Sequence, residues 1–173
     1  MGTLTVDNLN VNSTATISSG VGKVLQVQSS FKSDTDSTTS TSDVAISGLS
    51  LTLTPASASN KVLVQFDVGT MGNNYNAHMF FTVYRSIGGG SYSAIGQGTG
   101  GGSYNYGAGS YAANGYYHTV GHNFLDSPNT TSEITYKLYF RGSSGSYTYY
   151  INRRSSDDLF RGSTSLTLME ISG

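Results

Sequence analysis

The run Lys61–Gly69, K-V-L-V-Q-F-D-V-G, limits what this chain can fold into more than any other stretch. Val62, Val64, Phe66 and Val68 alternate with Leu63, Gln65 and Asp67. A β-strand turns successive side chains to opposite faces, so one face of this strand meets a core and the other meets water or a partner. A second alternating run, Leu49–Thr54, comes just before it and stops at Pro55. The small polar residues 55–60 read as a turn, so the two runs are expected to pair at the centre of an antiparallel domain.

The same reading places strands at Lys23–Phe31, Val44–Ile46, Met79–Ser86, Ser93–Ile95, Tyr117–Asp126, Ile134–Arg141, Tyr147–Asn152 and Ser165–Ile171. Gly142–Gly145 is expected to close a hairpin. Met79–Ser86 is apolar on both sides, with Met79, Phe81 and Val83 opposite Phe80 and Tyr84, and is expected to be covered on both. Residues 33–43 hold nothing apolar and read as a solvated loop. No segment repeats convincingly at 3.6 residues; Asp157–Phe160 has room for one helical turn. The expected fold is therefore all-β, an antiparallel β-sandwich of jelly-roll type.

At 173 residues the chain suits one sandwich domain, 23–173, behind a short extended segment, 1–22. Folding a chain of this size buries about 70% of the extended surface. Charged residues make up only 11% and the net charge is −1, which removes the electrostatic case for nucleic acid or an anionic membrane. So neutral a surface gives weak protection against self-association and suits a protein that assembles. The absence of cysteine rules out disulfides and thiolate metal sites. No apolar run approaches the roughly 20 residues of a membrane helix, and the N-terminus lacks the basic and apolar regions of a secretory signal. Synthesis in a cytoplasm is expected. Leu4, Val6, Leu9 and Val11 form short apolar pairs between polar corners. They read either as a flexible tail or as an attachment stalk that neighbouring chains complete.

Candidates for chemistry are few. His118 and His122 share a strand face at a separation of roughly 13 Å, too far for one ion. Asp34, Asp36, Asp157 and Asp158 belong to no recognisable metal loop, and Arg153 and Arg154 are placed to pair with the last two. There is no G-x-S-x-G elbow, no H-E-x-x-H and no candidate carboxylate pair. The chain is expected to be no enzyme and to need no cofactor or metal. The strongest functional candidate lies between Gly88 and Tyr117, where eleven glycines interleave with Tyr92, Tyr104, Tyr106, Tyr111, Tyr116 and Tyr117. This part reads as a long irregular loop after Ser93–Ile95. Tyrosine gives a rigid amphipathic contact surface and glycine adapts the backbone, the mixture that antibody paratopes use. Aromatic faces also stack on sugar rings. The loop suits host adhesion and packing within a particle equally.

In order and spacing, several motifs resemble the small virion structural proteins of tailed phages, especially those of cyanophages. They are T-L-T-V-D-N-L-N-V at 3–11, G-K-V-L-Q-V at 22–27, L-S-L-T-L-T-P at 49–55 with N-K-V-L-V at 60–64, F-L-D-S-P at 124–128, Y-I-N-R at 150–153 and S-L-T-L-M-E-I at 165–171. The C-terminal layout is similar to the C1q/tumour-necrosis-factor jelly roll. The resemblance implies a virion component, a homotrimer of tail-fibre or host-adhesion type. Residues 1–20 would join it to other virion proteins and its loops would meet a host-surface glycan. A capsid decoration protein is the alternative, and a surface-glycan hydrolase a more distant one.

Overall fold

The structure is a computed structural model that describes residues 22–73, 77–100, 102, 104–112 and 118–173. The regular elements among them are all strands: β1 (Val24–Lys32), β2 (Asp36–Thr38), β3 (Val44–Leu53), β4 (Lys61–Asn73), β5 (Ala77–Ile87), β6 (Ser93–Ile95), β7 (Ala108–Ala112), β8 (His118–Asp126), β9 (Ile134–Gly142), β10 (Tyr149–Ile151) and β11 (Thr164–Ile171). Sheet A runs β1-β11-β4-β10-β2, with β8 on the other edge of β4. Sheet B runs β3-β9-β5-β6, with β7 also paired to β5. All of these pairings are antiparallel, and the expected all-β sandwich is observed.

The connections differ from the expected hairpins. Leu49–Thr54 and Lys61–Gly69 do not pair: β3 binds β9 in sheet B, whereas β4 binds β11 and β8 in sheet A. Residues 55–60 therefore cross between layers, and 142–145 likewise carry the chain from β9 in sheet B to β10 in sheet A. A short link fixes only that two strands end near each other. In a sandwich about 10 Å thick, the opposite layer is as close as a neighbour in the same sheet. Val44–Ile46 and Leu49–Thr54 form one strand with a register shift between Ala45 and Ser50, where Gly48 takes φ 78°. The polar stretch 33–43 contains β2, paired to β10, and Asp157–Phe160 forms bends rather than a helical turn.

The core lies where the alternation puts it. Val62, Val64, Phe66 and Val68 of β4 face Met79, Phe81 and Val83 of β5 and Ile134, Tyr136, Leu138 and Phe140 of β9, all buried. Phe66 and Phe81 meet across the layers with ring centroids 6.3 Å apart. Full burial of each such side chain stabilises by about 1.5–3 kcal/mol.

Buried polar groups tie down the links. Glu170, at an inward position of β11, accepts hydrogen bonds from Gln26 Nε2 (2.6 Å), the Ala56 amide (2.7 Å) and Asn60 Nδ2 (2.6 Å). It thereby fastens both β1 and the 55–60 crossing to the last strand. Asn152, at φ 60°, donates to the carbonyls of Lys32 and Asp34 and accepts from the Thr164 hydroxyl.

Candidate binding faces

Two outward faces remain, and they differ in chemistry. On sheet A the register aligns side chains in rows across β1, β11, β4 and β8. One row is Val27, Met169, Leu63 and Leu125; the next is Ser29, Thr167, Gln65 and Asn123. Val27 and Leu125 are 53% and 56% exposed. The shift between Val24 and Gln26 brings Val24 to the same side as Val27, although simple alternation from Leu25 puts it on the other. An apolar band thus crosses four of the sheet's six strands beside a band of amides and hydroxyls.

The outer face of sheet B is aromatic. Phe80, on the solvent side of β5, is nevertheless buried. Tyr104 stacks on it with centroids 5.0 Å apart, Tyr106 lies 4.6 Å away, and the Arg141 guanidinium sits 5.2 Å from its ring. Covering of this strand on both sides is therefore observed, and part of the outer cover is the chain's own tyrosines. The glycine–tyrosine stretch is also less free than a single irregular loop. β7 pairs with β5, Gly107 N–H donates to the Phe81 carbonyl, and Gly98 N–H donates to the Tyr106 carbonyl. Gly107 and Gly109 sit where a Cβ would press on neighbouring backbone, which is why glycine suits a segment lying flat on a sheet.

The remaining sites fall as follows. Tyr92 is exposed with the Lys137 ammonium 4.6 Å from its ring centroid, and Tyr111 packs against His78 at 4.9 Å. Tyr116, Tyr117, Leu4, Val6, Leu9 and Val11 lie outside the described residues. His122 faces inward between Phe66 and Phe124, and its Nε2 lies 2.9 Å from the Gly96 carbonyl; a carbonyl only accepts, so Nε2 carries the proton. Asp157 pairs with Arg154, and Asp158 with Arg153 at 3.0 Å, all within one chain. These pairs brace a loop that presents Leu159 at 80% exposure.

Sequence reasoning missed the polar groups of sheet B. Lys137, Tyr139 and Arg141 occupy the outward positions of the alternating β9, and this was the signal that could have found them. Asp43, expected in a solvated loop, pairs with Arg141 Nε at 3.1 Å and accepts from the Tyr84 hydroxyl at 2.7 Å. Burial, then Asp43, pushes the Tyr84 phenol up to about 12. Inside the sandwich, Arg85 of β5 grips Asp126 of β8 through both carboxylate oxygens (2.7 and 2.8 Å), and the Tyr136 hydroxyl donates to the same carboxylate. Burial and the Asp126 charge hold the Tyr136 phenol far above its ordinary range.

No protein family matches this chain, and no curated protein matches it. Among solved structures, a chain of infectious bursal disease virus, Gt strain, matches 96% of this chain at 11% identity and TM-score 0.50. A chain of the VP2 subviral particle of that virus matches 96% at 10% identity and TM-score 0.47. This chain spans 42% and 44% of those chains. The first likeness is one of fold. The class it supports is the antiparallel β-sandwich.

Proposed function

We propose that the chain is a non-enzymatic virion structural protein that assembles as a homotrimer through the outer face of sheet A. The observation that carries this reading is the apolar row Val27–Met169–Leu63–Leu125. Its direction matters. A rotation axis parallel to the strands keeps every row at its own height, so apolar meets apolar and amide meets amide in each copy. Taking β6 and β7 as one broken strand and leaving aside β2 and β10, the eight main strands run 1-8-3-6 in one layer and 2-7-4-5 in the other, a jelly-roll winding. The fold likeness to a virus chain adds support for a virion role. Five of the nine described carboxylates also favour a non-enzymatic part: Asp43, Asp126, Asp157, Asp158 and Glu170 are committed to structural partners.

Within the virion, the tail-fibre or host-adhesion reading gains support from exposed Tyr92, Tyr104 and Tyr111 on the face opposite the assembly band. The likeness to a virus-particle chain favours capsid decoration as the second reading. Sedimentation of the wild type at micromolar concentration is expected to give a trimer, and Leu63→Lys with Leu125→Lys a folded monomer. A wild-type monomer sinks the assembly. Gold-labelled antibody on whole particles separates the two locations: label on the tail supports adhesion, label on the head shell supports decoration.

A further inference from the structure

We infer that the band on sheet B running from Lys137 and Tyr92 to Arg141 and Tyr104 binds an acidic oligosaccharide, an assignment that rests on the adhesion reading. Lys137 and Arg141 lie four residues apart on the outward side of β9, roughly 13 Å along the strand. Among the described residues, the carboxylate that contacts this band is Asp43, and its two oxygens are taken by Arg141 and by the Tyr84 hydroxyl. The Lys137 ammonium rests on the Tyr92 ring and has no carboxylate partner among the described residues. With Arg141 matched by Asp43, the band keeps one unmatched positive charge, that of Lys137, on a chain of net charge −1. Complementarity selects an anion.

The rings decide what kind. Tyr104 is propped on Phe80, and Tyr139 lies 4.2 Å from Tyr84, so rings are held in place between the two cations. A ring fixed in this way offers the C–H face of a sugar a flat surface, while the Lys137 ammonium takes its carboxylate through a charge-assisted hydrogen bond. Nucleic acid fits poorly: a duplex presents one charge per about 1.7 Å, far denser than one unmatched cation can meet. A protein partner is better served by the aliphatic row of sheet A, since interface cores are depleted of charge.

The test is equilibrium binding of the full chain to alginate oligomers, with dextran oligomers and poly-glutamate as controls. Alginate is expected to bind at least roughly tenfold more tightly than either control, the equivalent of one charge-assisted hydrogen bond. Lys137→Gln and, separately, Tyr104→Ala are each expected to weaken it by a similar factor without moving the thermal melting point beyond a few degrees. Alginate binding no better than dextran overturns the assignment, as does an unaffected Lys137→Gln. Poly-glutamate matching alginate overturns it too, because then only charge is read. Adsorption to the cells that the particle infects, measured in parallel, separates the two levels. Adsorption without alginate binding overturns the ligand class and leaves adhesion standing; loss of both overturns both.

Discussion

Tyr104 stacks on Phe80 with ring centroids 5.0 Å apart and planes 21° from parallel, so the glycine–tyrosine stretch forms part of the roof of its own sheet. Phe80→Ala removes the surface on which that stretch rests. It should cost about 3 kcal/mol in chemical denaturation and expose residues near 104 to limited proteolysis. Tyr104→Ala removes only one exposed ring and should cost about 1 kcal/mol. Equal losses would mean that the contact is incidental.

Asp126 joins the two layers through Arg85 and Tyr136. The side chains of this ion pair are 20% and 10% exposed, so an uncompensated partner would be poorly solvated. Asp126→Asn should therefore destabilise by about 3 kcal/mol, and the double variant with Arg85→Met should recover part of that loss. A single variant as stable as wild type would show that the layers are held by packing alone.

Glu170 should set the acid limb of stability. Burial pushes its carboxyl up, but the hydrogen bonds from Gln26, Asn60 and the Ala56 amide outweigh burial and hold it below its ordinary 4.5. A carboxylate lowered on folding contributes stability that is full above the unfolded value and is lost as pH falls through the folded one. Denaturation midpoints should drop below about pH 4.5, and Glu170→Gln should flatten that fall while costing about 2 kcal/mol at neutral pH. An unchanged acid limb in the variant would assign the effect to other carboxylates.

Asn152 combines a left-handed backbone with three side-chain hydrogen bonds. Asn152→Gly keeps the backbone and loses the bonds; Asn152→Ala loses both. Thermal melts should rank wild type above glycine and glycine above alanine, with alanine about 3 kcal/mol down. If alanine matches glycine, the backbone carries no cost there.

How much of this was legible depended on whether a residue's environment was set by its own strand. Val62–Val68 and Ile134–Phe140 announced their inward faces because alternation is local. The partner of each strand was not local: 55–60 is short, yet it changes layers, and nothing in Pro55–Asn60 says so. β7 was invisible because Ala108–Ala112 has no apolar alternation of its own, and its pairing is imposed by the neighbouring β5. Asp43 and Arg141, ninety-eight positions apart, meet only because β3 and β9 are neighbours. Composition singled out the tyrosines, but Phe80, the support of Tyr104 and Tyr106, was read only as part of a doubly covered strand.

The pairing of β1 with β11 has a consequence for when the proposed assembly could begin. Val27 and Met169 sit side by side in the apolar row, so a nascent chain cannot present that row until β11 has left the ribosome. A copy in which β11 has not yet docked has no complete row to offer. Under the proposed assembly, recognition between copies therefore follows the closing of the sheet and cannot precede it.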